Sequence, residues 1–133
     1  MLDTAATVEE AVKVFTTHNI NFDGGPPLHY LVADATGKSA AIEFVDGEVV
    51  ALPIQTAVNF TLSGTDESTR MADARYRTAT EGLSPGMDWR GAMDLLSEVQ
   101  QGHTQWSVVY SLKDHTVRVA TDRQFDRVHE LTL

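Results

Sequence analysis

The sequence predicts an α+β fold, mostly antiparallel sheet with about three helices. Three observations predict it. A capped amphipathic segment opens the chain, and alternating apolar runs joined by Asp-x-x-Gly and Asp-Gly turns follow. Two helical segments then separate these strands from a second alternating run near the end.

The first helix is announced by Thr7-Val-Glu-Glu10, a threonine followed three residues later by glutamate, which is the pattern of a capping box. Val8, Ala11, Val12 and Phe15 form one apolar face, and the helix fades near His18, before Asn19 and the loop Asp23-Gly-Gly-Pro-Pro27. Leu28 to Ala33 reads as a strand, Asp34-Ala-Thr-Gly37 as a turn and Ser39 to Val45 as the partner strand. Asp46-Gly47 is a two-residue hairpin signal leading into Glu48 to Leu52. Pro53 ends that strand or puts it at an edge, and a short strand is expected from Thr56 to Phe60.

Ser68 to Glu81 reads as one helix stopped by Gly82. Asp88 is placed to cap a further helix carrying Ala92, Met93, Leu95, Leu96 and Val99 and ending at Gly102. Trp106 to Leu112, a turn at Lys113-Asp114, Thr116 to Thr121 and a last strand near Val128 to Leu131 close the chain. Trp106 lies in an alternating pattern that predicts one indole face packed into a core.

The 133 residues fit one compact domain, 1–133, and the hydrophobic fraction of 42% with 22% charged residues is that of a folded protein. Nineteen acidic against ten basic side chains give a formal charge of −9, which argues against nucleic acid and anionic membranes as partners. There is no cysteine, so the chain holds no disulfide, thiolate metal site or cysteine nucleophile of its own. The start has no basic region followed by an apolar stretch, and no apolar run is long enough for a bilayer, so the expected location is the cytoplasm.

Generic motifs say little about chemistry. There is no GxGxxG, phosphate loop or GxSxG elbow, and His18, His29, His103, His115 and His129 show no paired-ligand spacing, so neither cofactor nor metal is expected. Asp46, Glu48, Asp66, Glu67, Asp73 and Glu81 read as a solvated acidic surface. Ser63 and Ser68 have no histidine and acid recognisably beside them, and Asn59-Phe-Thr61 matches a glycosylation acceptor of a kind frequent by chance.

Five ordered segments carry a resemblance across nearly the whole chain. They are Thr7-Val-Glu-Glu-Ala-Val12; Leu28-His-Tyr-Leu-Val-Ala-Asp-Ala-Thr-Gly-Lys-Ser39 with Ile42-Glu43; Val58-Asn59-Phe60; Asp73-Ala-Arg-Tyr-Arg77; and Thr104-Gln-Trp-Ser-Val-Val-Tyr110 with Asp122-Arg-Gln-Phe-Asp126. Together they resemble the C-terminal half of the linear amide C–N hydrolases, the group of N-terminal-nucleophile hydrolases that includes choloylglycine hydrolases and penicillin acylases. The resemblance implies half of an αββα sandwich. It also implies an amide hydrolase or acyltransferase site in which an N-terminal cysteine attacks the carbonyl and its own α-amine acts as base.

Within that site the resemblance implies two catalytic-wall residues. Asn59 would hydrogen-bond the tetrahedral intermediate, and Arg75 would favour the thiolate. The alternatives are an asparagine ending a strand and an arginine lying along its helix. Val58 departs from the threonine common in the family. The chain opens Met-Leu, with no cysteine, serine or threonine in the nucleophile's place, so the expectation is inactivity alone. Half a sandwich leaves apolar sheet uncovered, which implies a homo-oligomer or a second chain carrying the cysteine-bearing half, with a small amide as substrate. The competing expectation is a non-catalytic domain on the same scaffold, self-associating or binding a small ligand.

Overall fold

The computed structural model describes residues 3–18, 20–26 and 28–132. Met1-Leu2 at the start, Asn19 at the expected end of the first helix, Pro27 in the expected loop and Leu133 lie outside the described residues. The fold is α+β, with four helices and two antiparallel three-stranded sheets. The chain divides into two compact units, Met1–Ala72 and Asp73–Leu133.

In the first unit, α1 (Val8–Thr16) begins as its sequence requires. Thr7 Oγ1 accepts from the Glu10 N–H at 3.2 Å, and Glu10 Oε2 accepts from the N–H groups of Thr7 and Ala6. Both ends of the box are closed, so N–H groups that a helix start leaves without partners are satisfied. Strands β1 (Tyr30–Ala33), β2 (Ser39–Val45) and β3 (Glu48–Leu52) form a sheet in that order. Asp46 and Gly47 both have positive φ, 51° and 84°, as the two-residue hairpin between β2 and β3 demands.

Register divides β2 into two faces, with Val32 opposite Ala40, Tyr30 opposite Ile42 and Val49 opposite Phe44. Buried Val8, Ala11 and Phe15 of α1 pack against this face, on Val32, Ala40 and Ile42. The Phe15 ring lies 4.9 Å from Tyr30 and 6.2 Å from Phe44. Burial of Val8, Phe15, Val32 and Ile42 contributes up to roughly 1.5–3 kcal/mol each, so this face fixes α1 on the sheet.

Asp34, in the β1–β2 turn, is buried. Its Oδ1 accepts from the Thr36 N–H and hydroxyl, closing the turn in which Gly37 takes a φ of 91°. Its Oδ2 accepts from the Val8 N–H at 3.0 Å, so the same carboxylate sits at the positive end of α1. The hairpin turn expected at Asp34 is therefore present, and it also anchors a helix 26 residues away.

Two expectations for this part of the chain are corrected. Thr56 to Phe60 is not a strand. Beyond Pro53 the Ile54 N–H turns back to the Leu52 carbonyl, and the Phe60 N–H donates to the Val58 carbonyl, so these groups bond locally instead of to a ladder. The helix expected over 68–81 is two helices, α2 (Glu67–Ala72) and α3 (Ala74–Gly82). Asp73 breaks it with an extended backbone (φ −71°, ψ 123°), and its side chain accepts from the Tyr76 N–H to cap α3.

The second unit holds α3, α4 (Trp89–Glu98), β4 (Trp106–Ser111), β5 (Thr116–Thr121) and β6 (Val128–Thr132). Asp88 caps α4 as expected, but the helix ends at Glu98 with Val99 as its cap instead of running to Gly102. Gly82 is the last residue of α3, not a residue beyond it, and a Cβ there would collide with a methyl of Leu95 on α4. Close helix approach is thus a second reason for glycine at that position.

Trp89 at the start of α4 stacks on the Arg118 guanidinium at 4.7 Å, placing α4 over the sheet face that carries Ser107, Arg118 and Ala120. By register, Trp106, Tyr110 and Leu131 share the opposite face, and they are 68%, 60% and 58% exposed. The indole of Trp106 is therefore not packed into a core, contrary to its alternating pattern, because helix cover lies on the other side of the sheet. Among the described residues no helix is long and apolar enough to cross a membrane.

The Asp34 carboxyl is held at about 2, below its ordinary 3.8, first by the Thr36 hydroxyl and then by the Val8 N–H. A lowered folded-state pKa contributes stability that is complete above 3.8 and lost as pH falls through about 2. An NMR titration should show the Val8 amide moving with a midpoint near that lower value, and Asp34→Asn should abolish the step. A midpoint at 3.8 would mean that the carboxylate does not hold α1.

Candidate functional site

The site is built on the face of β2 turned away from α1. Residues 39, 41 and 43 alternate onto that face. Ala41 is fully buried, and Glu43 is only 5% exposed. A carboxylate at such a position is costly unless every lone pair finds a donor. Glu43 Oε1 accepts from the Leu62 N–H at 2.7 Å and lies 3.3 Å from His29 Nδ1. Its Oε2 accepts from the Ser63 N–H at 2.7 Å and from the Ser63 hydroxyl. Burial alone pushes this carboxyl up, but the donors of Leu62 and Ser63, with His29 beside them, outweigh it and leave Glu43 below its ordinary value.

These bonds shape the loop that carries Asn59. Leu62 to Thr65 forms a turn with Gly64 at a φ of 74°, and the Thr65 hydroxyl donates to the Thr61 carbonyl. Upstream, the Ser39 hydroxyl donates to the Ile54 carbonyl at 3.0 Å. Between these ties Val58 and Leu62 are buried, and Asn59 stands exposed at the apex of the tight turn closed by the Phe60 N–H and the Val58 carbonyl. Asn59 ends no strand; it is presented on a turn.

Arg75 lies in the first turn of α3, half-buried. Its Nε–H donates to the Val99 carbonyl at 3.0 Å, so the guanidinium meets the C-terminal end of α4, where carbonyls and the helix dipole favour a cation. Arg75 thus ties α3 to α4, which is a structural duty whatever else it does.

Several residues play parts that the sequence did not announce. Ser63 does have an acid and, through that acid, a histidine close by. The Ser63 hydroxyl donates to Glu43 Oε2, which also holds the Ser63 N–H, so this bond belongs to the tie that fixes the loop. Ser68 donates to Asp66, whose carboxylate also accepts from Thr69 at the start of α2. The Ser68 hydroxyl and Thr69 hold the Asp66 carboxyl at about 2. Asp66 stands on the exposed surface as expected and also caps α2, while half-buried Asp73 caps α3. The signal for Glu43 was one acid inside the otherwise apolar run Ala40-Ala-Ile-Glu-Phe44.

Among the described residues no three His, Asp or Glu side chains converge where a metal ion could be held. An open cleft of about 410 Å³, lined by Phe15, Phe22, Phe44, His18 and Glu48 among others, contains neither Asn59 nor Arg75. Comparison with family models, curated proteins and solved structures finds no match for the chain.

Glu43→Ala leaves two backbone donors behind, one of them buried, and should lower stability by about 3 kcal/mol, against about 1 kcal/mol for Ser63→Ala, which removes only the hydroxyl. Equilibrium unfolding in urea measures both, and equal costs would show that the backbone bonds contribute nothing. Arg75→Ala should cost about 1–2 kcal/mol through the end of α4. Faster amide exchange confined to residues 95–99 would locate that loss, and unchanged exchange there would exclude the tie.

Proposed function

We propose that this chain is the C-terminal portion of a linear amide C–N hydrolase or acyltransferase of the choloylglycine hydrolase type, inactive until a cysteine-led segment from outside these residues joins it. The observation that carries the reading is the Asn59 turn, an exposed asparagine held on a loop that a buried carboxylate locks from beneath. A donor that stabilises charge developing in a transition state must be held in place beforehand, and this loop meets that requirement. The ordered segments of the resemblance lend support, since Asp34-Gly37, Glu43 and Asp73 each have a defined structural task.

In this reading the incoming cysteine thiol gives its proton to the α-amine, and the sulfur adds to the amide carbonyl. The Asn59 side-chain N–H donates to the oxyanion of the tetrahedral intermediate. Collapse expels the amine, which takes the proton from the ammonium, and leaves a thioester. Water then cleaves the thioester, or an acceptor amine takes the acyl group. Arg75 takes no step here; its Nε–H is bonded to the Val99 carbonyl within the second unit.

The alternative is a non-catalytic relative that self-associates, and a separate observation favours it. Trp106, Tyr110 and Leu131 line one apolar sheet face with more than half of each side chain exposed. Such a face marks an interaction surface, and a second copy would cover it as well as a cysteine-bearing half.

Native mass beside denatured mass, measured on the protein from its natural source, separates the readings. The hydrolase reading expects a component with an N-terminal cysteine and an assembly that cleaves acyl amides, with Asn59→Ala slowing it at least about 100-fold. A homo-oligomer of this chain alone, without cysteine or activity, supports the silent relative. A stable monomer at micromolar concentration defeats the prediction of a covered face.

A further inference from the structure

We propose that Glu43 is the positioning residue of the Asn59 turn, fixing how residues 58–60 present the asparagine while taking no part in chemistry itself. What Asn59 is positioned for rests on the amide-hydrolase reading; the positioning does not.

Strand β2 acts as a ruler for the loop. Ser39 and Glu43 lie four residues apart on one face, roughly 13 Å along the strand. Each holds one end of the loop, Ser39 at the Ile54 carbonyl and Glu43 at the N–H groups of Leu62 and Ser63. Between the buried residues Val58 and Leu62 only three residues run, so Asn59 has little freedom once Leu62 is fixed.

Both carboxylate oxygens accept a backbone N–H, and each has a further neighbour, His29 on one side and the Ser63 hydroxyl on the other. The group therefore cannot rotate without losing bonds on both sides. Only a group that accepts at both ends fits between two N–H donors. Glutamine has the same shape but turns one end into a donor, setting an NH₂ against a backbone N–H. Ser63→Ala removes one contact and keeps both backbone bonds.

The test is amide exchange and ¹H–¹⁵N spectra of the full chain, wild type against Glu43→Gln and Ser63→Ala. In Glu43→Gln the ladder amides of β2 and β3 should keep their protection, while Leu62 and Ser63 exchange about tenfold faster or more. The Asn59 side-chain NH₂ pair and the 58–60 backbone signals should move with them. In Ser63→Ala the Asn59 signals should move in the same direction by a smaller amount.

Wild-type Asn59 signals alongside rapid exchange at Leu62 and Ser63 would overturn the proposal, as would slow exchange at both positions. If Glu43→Gln fails to fold, Ser63→Ala decides, and Asn59 signals unmoved in it count against the proposal. No substrate enters these spectra. Failure of an assembled protein to cleave amides would remove the hydrolase reading and leave the positioning result standing.

Discussion

A carboxylate in the middle of β2, beside residues that solvent does not reach, imposes the constraint to which the surrounding loop conforms. Glu43 cannot be left without partners, because an ionised group out of water loses more than packing returns. Two backbone N–H groups and one hydroxyl donate to it and one imidazole lies beside it, drawn from segments on both sides of it in sequence. Satisfying the charge and shaping the loop are the same event. Along residues 53–65 the N–H groups of Ile54, Phe60, Leu62, Ser63 and Thr65 bond to Glu43 or within local turns, and the Ile54 carbonyl bonds to Ser39, so none of these groups joins a ladder.

The same economy recurs where acids meet helix starts. Asp34, Asp66, Asp73 and Asp88 each accept a backbone N–H in the first turn of a helix, and each stands where N–H groups would otherwise lack partners. The charge of −9 is thus partly architectural. Asp34 shows the division of labour, since one oxygen closes its own turn and the other fixes α1. An amide could offer only one acceptor there.

Local chemistry made much of this fold legible. Thr7 to Glu10, Asp46-Gly47 and Asp88 act through neighbours within a few residues, so their roles can be read directly from the sequence. Failures came where a distant partner decides. The run from Thr56 to Phe60 has β-prone residues but leads into Leu62, whose N–H is held by Glu43, and Trp106 alternates correctly while helix cover lies on the other side of the sheet. Asp73 sits within a helical pattern, yet a capping side chain competes with helical backbone there. Of the two expected site residues, Asn59 proved to have a support that the sequence hid, because the tie runs from residue 43 to residue 62. Arg75 proved to have a structural task at Val99, which only the folded second unit reveals.

Arg75 and Asn59 therefore stand on different supports. A half-buried guanidinium bonded to a helix end has a sufficient reason to be present without any chemistry. The exposed asparagine stands at the apex of a tight turn, next to a loop whose Leu62 and Ser63 N–H groups are held by Glu43. The apolar face of Trp106, Tyr110 and Leu131 makes a parallel point in the second unit. The helix-covered side of that sheet carries Arg118 under Trp89, while Trp106, Tyr110 and Leu131 stand exposed together on the other side.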